Sequence, residues 1–243
     1  MLYTLWDSSV VIPYYIPEAS RNGNAATNAS IILDSVRHHR TEAFCYLPNI
    51  VVAEVFAAFD REFYSGWDPQ IHKKYGGPGR TLHGGKYKKA RKHFRKDIHN
   101  GVLFYQLELN RYHILALDLI APIDKYRKFY RTTQARSMGA SDLLIGAMAM
   151  HLVKLHGRDN VRLLTADRRM KAIFELAGPA VHPSTRKKMA LPGTAKELGF
   201  GTWSKNMYPR VLDLERCTNS ECAEYFGEWP LSTRKTYGKD PKA

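Results

Sequence analysis

GASDLLIGAMAMHLVKLHGRDNVRLLTAD, residues 139–167, decides how the rest of the chain is read. From Leu143 to Leu155 only His151 and Lys154 are strongly polar. A helix that apolar on most sides is a buried helix, not a surface one. The chain breaks between Gly157 and Asn160, and Val161–Thr165 is then too short for a helix and reads as a buried strand. Arg168 to Leu176, stopped by Gly178 and Pro179, reads as the next helix. The unit is therefore helix–strand–helix, with Asp142 at the start of its first helix and Asp167 just past the carboxyl end of its strand. In open parallel sheets, ligands bind at that edge.

The pattern repeats outward from this unit. Leu2 to Trp6 is a short apolar and aromatic run that meets Asp7, so a first buried strand ends on a carboxylate. Residues 24–39 have helical spacing with a basic last turn. Residues 43–47 read as the second strand, closed by Pro48, with Asn49 placed to cap the helix after it. Residues 50–59, IVVAEVFAAF, are helical and carry one polar side chain, Glu54. A carboxylate in such a run either lies on a narrow solvent stripe or is wanted inside, and partners elsewhere favour the second. Residues 103–109 read as a short helix tail and 112–117 as the third strand, ended by Asp118. Residues 124–133 read as a helix, 195–198 as one helical turn, and 210–214 as a last strand.

Composition shifts sharply at Tyr64. Between Arg61 and Asn100 stand 11 Lys and Arg against three acids, with five glycines between Gly76 and Gly85. The stretch reads as a Gly-rich turn running into a basic helix from about Lys86. Lys86, Lys88, Lys89, Arg91, Lys92 and Arg95 are its candidate phosphate contacts, with Tyr75, Tyr87 and Phe94 interspersed for stacking on unpaired bases. A solvated basic insertion is the plainer alternative. Its histidines lack metal-ligand spacing, which argues against zinc. Over all 243 residues Lys plus Arg number 37 and Asp plus Glu 23, a net charge of +14, so a polyanionic partner is the first expectation. No run approaches the roughly 18 apolar residues of a membrane span. The N-terminal stretch lacks the basic region of a signal peptide. Cys45, Cys217 and Cys222 are too few and odd in number for a disulfide framework. A cytoplasmic, membrane-free protein is expected.

Strands separated by helices imply a three-layer, doubly wound parallel α/β sheet. If the first three strands build outward and the fourth returns beside the first, the switch point carries Asp7 and Asp167. Asp142 and Glu54 can reach the same crevice. Each acid alone has a simpler explanation: Asp142 as a favourable charge at a helix start, Asp167 as a helix cap, Asp7 as a turn residue. Together they would repel one another unless a divalent cation held them, and hard oxygen donors select Mg²⁺ or Mn²⁺. Such a site in a basic protein suits phosphodiester hydrolysis.

The residues DSS at Asp7–Ser9, VVAEVF around Glu54, SDLLIGAMA from Ser141 and LLTAD ending at Asp167 resemble the PIN-domain nucleases. The resemblance covers about residues 1–63 and 101–178, with 210–216 as a further strand. It implies a PIN-like sheet of order 3-2-1-4-5 and a Mg²⁺- or Mn²⁺-dependent endoribonuclease. Asp7, Glu54, Asp142 and Asp167 would be its catalytic and metal-binding acids. Ser9 and Thr165 match the family's D-x-[ST] and T-x-D signatures as supporting residues. Many members are VapC-type toxins paired with an antitoxin and dimeric, so RNA, an antitoxin protein and a second copy of the chain are the implied partners. VapC-type toxins are much shorter than this chain. The organisation expected here is one domain over 1–216, with the basic insertion at 64–100, followed by a polar basic tail over 217–243. An RNA-processing nuclease outside toxin–antitoxin systems and a non-catalytic nucleic-acid-binding module on the same fold are the alternatives. Four intact acids favour an enzyme. No Walker-type phosphate loop supports a nucleotide hydrolase.

Overall fold

The computed structural model describes residues 1–17, 23–64, 83–99, 101, 103–130, 137–177, 181–227 and 229. Five strands form one parallel sheet of order β3-β2-β1-β4-β5, the doubly wound order expected. β1 is Leu2–Trp6, β2 Ala43–Pro48, β3 Phe104–Leu107, β4 Val161–Thr165 and β5 Arg210–Asp213. Every residue of β4 is buried, as a strand covered on both faces requires. The order places β1 and β4 side by side, Trp6 opposite Leu164. The switch point therefore falls between them.

On one face α1 (Ser8–Tyr15), α2 (Asn24–Arg37), α3 (Asn49–Tyr64) and α4 (Gly84–His99) pack together. On the other, α5 (Arg111–Ala116) packs against α7 (Ala140–His156), with α6 (Ala121–Tyr130) between them in sequence. α7 is the buried helix read from the sequence: eight of its residues from Ile145 to Val153 are buried. Its Gly146 has a packing reason, since a β-carbon there would collide with the ring of Phe174. Phe174 lies in a π-helical turn, Ala172–Ala177, that continues α8 (Arg168–Lys171). Then come α9 (Pro183–Lys188), α10 (Leu191–Glu197) and α11 (Asn219–Phe226).

The third strand is a correction. Residues 112–117 are not a strand but lie mostly in α5, and the strand is Phe104–Leu107, within the stretch expected to be a helix tail. The cause is a capping box. The Asn110 side chain accepts a bond from the His113 backbone N–H at 3.2 Å, and the His113 ring accepts one from the Asn110 N–H at 3.1 Å. Two otherwise unmet donors are thereby satisfied, which starts a helix where apolarity alone suggested a strand. Phe104 is buried while Tyr105 and Gln106 are exposed, the pattern of a short edge strand.

The basic helix is part of the fold. Ala90, Phe94 and Asp97 of α4 are buried at helical spacing. The Phe94 ring packs against Phe56, Phe59 and Tyr15 at 5.1, 5.8 and 5.2 Å. Asp97 accepts from the Tyr15 hydroxyl and from Arg37, each at 2.6 Å. The Gly-rich turn expected before α4 lies outside the described residues. Where a tail was expected from residue 217, α11 forms instead. Its Cys222 is buried and its Glu221 pairs with Lys171 at 2.8 Å, while residues 230–243 lie outside the described residues. Among the described residues no helix is long and apolar enough to cross a membrane.

Candidate active site

The site is built at the carboxyl edge of β1 and β4. Asp7 follows β1 directly, and its N–H continues the ladder by donating to the Leu164 carbonyl at 3.0 Å. The side chain is only 2 % exposed. Thr165, last in β4, donates to the Asp7 carboxylate at 2.7 Å, and Ser9 donates to the same oxygen. Ser9 also accepts from the Ala166 N–H at 2.9 Å, and Thr165 accepts from the Asp167 N–H at the same distance. The two hydroxyls thus fix Asp7 and tie it to the backbone that carries Asp167. Both are the residues that the sequence singled out beside Asp7, and both bond to its carboxylate.

Burial is the largest influence on the Asp7 carboxyl and pushes it up to about 6 from an ordinary 3.8. The Ser9 and Thr165 bonds oppose this, while the negative charges of Asp142 and Glu54 add to it. Asp142, at the third position of α7, is likewise raised, first by burial and then by Asp167 and Glu54. Its carboxylate accepts from the Gly139 N–H at 3.2 Å, so it also caps its helix. Asp167 caps α8, accepting from the Arg169 N–H at 2.8 Å. Helix capping and shared charge therefore coexist at both aspartates. Glu54 is half-buried on α3, less enclosed than an internal carboxylate would be.

One residue here was missed by the sequence reading. The Arg169 guanidinium lies along Asp167, its Nε 3.0 and 2.8 Å from the two oxygens and its Nη2 on one of them. The same Nη2 is 3.5 Å from Asp142. Arg169 is the cation shared by these two acids. The signal was available: in Asp-x-Arg at a helix start, the third side chain folds back over the capping carboxylate, favoured by opposite charge.

An all-oxygen set of carboxylates and hydroxyls is the right donor chemistry for Mg²⁺ or Mn²⁺. In this structure the acids' charges are met by Arg169 and by two hydroxyls. Among the described residues no three His, Cys, Asp or Glu side chains gather into a group able to hold a metal. Asp142 and Asp167 are engaged by Arg169, and Asp7 by two hydroxyls. Arg169 supplies the positive charge beside Asp142 and Asp167.

The nucleic-acid candidates lie on α4. Lys86, Lys88, Lys89, Lys92 and Arg95 are exposed. Arg91 is held, pairing with Asp60 at 3.2 Å and lying 5.4 Å over the Phe56 ring.

No protein-family profile matches the sequence, and no curated protein matches it. Among solved structures, the fold is similar to a chain of VapBC2 from Rickettsia felis, a complex bound to a DNA fragment from its promoter. The identity is 10 %, the TM-score 0.41, and the match spans 71 % of this chain and 93 % of that one. So distant a likeness carries no functional argument, and the fold class stands on the strand order and parallel register themselves.

Proposed function

We propose that this chain is an endoribonuclease that hydrolyses RNA phosphodiester bonds at the carboxyl edge of β1 and β4, with Mg²⁺ or Mn²⁺ as cofactor. The observation that carries the reading is electrostatic. Asp7, Glu54, Asp142 and Asp167 come from four separate elements, yet Asp7 feels Asp142 and Glu54, and Asp142 feels Asp167 and Glu54. Evolution of a stable fold alone gives no reason to collect like charges at a sheet edge, because each repels the next. A divalent cation, when bound, supplies the missing positive charge and acidifies a bound water.

The protein's own residues divide the work. Ser9 and Thr165 hold Asp7 in one orientation, so no side-chain freedom is lost when substrate arrives. Asp142 and Asp167 project from helix starts, and Arg169 must leave Asp142 for a cation to share it. The exposed cations of α4 supply phosphate affinity that is independent of sequence.

The test is cleavage of single-stranded RNA by the purified chain in Mn²⁺ and in EDTA, beside Asp142→Asn. The wild type is expected to cleave only with metal, and Asp142→Asn to lose roughly 10²-fold or more, the scale of a positioned catalytic carboxylate. Undiminished cleavage by Asp142→Asn, or a wild type inert on RNA in Mn²⁺, would overturn the reading.

A further inference from the structure

A second feature lies on the other side of α3 from Glu54, because Phe56 is two residues on and turned about 200° around the helix. There α3, α4 and β3 line an open cleft of 680 Å³. That is within the range of small-ligand sites. Phe56, with the Arg91 guanidinium 5.4 Å over its ring, forms the stacking wall, and Ile98 adds apolar surface. Gln106, exposed on the edge strand, presents a carboxamide. Arg91, Arg95, Lys96 and His99 complete the lining, and no carboxylate is among the described lining residues.

These parts differ from a merely basic surface. Arg95 and Lys96 are exposed and make no ion pair among the described residues, so their charge is available. Arg91 is held in place by Asp60. The nearby Asp97 is turned inward to Arg37 and Tyr15, and Asp60 is engaged by Arg91, so neither carboxylate pairs with Arg95 or Lys96. A carboxamide carries both donors and an acceptor, the pattern needed for a base edge, and an aromatic ring beside cations matches a base next to its phosphate.

We infer that the cleft between α3, α4 and β3 is a nucleotide-binding site, taking a base against Phe56 and Gln106 and its phosphate on Arg95 and Lys96. The inference rests on the ribonuclease reading for the polymer that supplies the nucleotide, and its test uses binding alone. The probe is N-methylanthraniloyl-AMP, followed by fluorescence anisotropy in EDTA with the Asp142→Asn chain, so that cleavage plays no part. AMP is expected to displace it at about one-tenth or less of the concentration needed for ribose 5-phosphate or inorganic phosphate, as stacking on the base predicts. Gln106→Ala and Phe56→Leu should narrow that ratio, and Arg95→Ala with Lys96→Ala should weaken all three competitors. Gln106, Arg95 and Lys96 are exposed, so their variants fold as the parent does. Tighter competition by an oligouridylate than by UMP assigns the site to a strand; equal competition assigns it to a free nucleotide. Either supports the cleft. Equal displacement by AMP, ribose 5-phosphate and phosphate, or an AMP preference untouched by Gln106→Ala and Phe56→Leu, overturns it. A preference for AMP in a chain that never cleaves RNA would leave the cleft standing and remove the nuclease; cleavage without the preference would do the reverse.

Discussion

The carboxylate edge and helix α4 collect charge in opposite ways. At the edge, acids distant in sequence lie near enough to raise the Asp7 and Asp142 carboxyls, and the protein compensates with Arg169 and two hydroxyls. In α4, positive residues adjacent in sequence are held apart on exposed turns, while Ala90, Phe94 and Asp97 anchor the helix from beneath. The edge stores repulsion that a cation could relieve; α4 stores almost none, because water screens its charges. The acids are neighbours only through the fold, whereas the cations of α4 are neighbours through the sequence.

The largest effect that would break this comparison concerns α4. Neutralising Lys88, Lys89, Arg91 and Arg95 together should reduce the slope of log binding constant against log salt for single-stranded RNA by up to roughly 3, at about 0.7 per charge. Binding measured at several salt concentrations checks it. An unchanged slope would make α4 a solvated face with no role in affinity.

Next is the cost of the Asp7 charge, set first by burial and increased by Asp142 and Glu54. The Asp7 carboxyl in the fold is raised to about 6 from 3.8. Folding therefore favours its protonated form, and stability is lost as pH rises from about 4 through 6. Asp7→Asn should be nearly neutral below pH 4 and should stabilise the metal-free chain by about 3 kcal/mol above pH 6. Thermal unfolding in EDTA at pH 4 and pH 7.5 reads this directly. Equal stability of the two chains at pH 7.5 would show that the edge holds its charge without cost.

A smaller effect tests whether α4 is anchored as described. Asp97→Ala leaves the Tyr15 hydroxyl and Arg37 without their partner. Arg37 is about one-third exposed, so water softens the loss, and about 2 kcal/mol is expected from chemical denaturation. Exchange protection should fall in α4 more than in β4. A change below about 0.5 kcal/mol would return α4 to the status of an appended helix.

The strand order was legible because buried strands and buried helices alternate so plainly around residues 139–167. The three aspartates were legible because each stands at one end of an apolar run, and Glu54 because it interrupts one. The third strand was not, since 104–107 is a short edge strand with only one face buried and the Asn110 capping box lay inside an apolar run. Arg169 was hidden by its neighbours, one more cation in Arg168–Arg169. The nucleotide cleft was illegible for a different reason: Phe56, Arg95 and Gln106 meet only through the packing of α3, α4 and β3. What sequence reading lacked in each case was a long-range contact, not a residue type.

The central claim is that the four acids are one cation site whose positive charge is supplied by Arg169 when no metal is bound. Calorimetric titration of Mn²⁺ into the wild type, Asp167→Asn and Arg169→Gln tests it most directly. Asp167→Asn keeps the shape of the cap but removes one negative charge, so Mn²⁺ affinity should fall by about tenfold or more. Arg169→Gln removes the competing cation, so affinity should rise above that of the wild type. Opposite shifts in the two variants are the predicted result; identical titrations in all three chains, or no saturable binding even in Arg169→Gln, would contradict it.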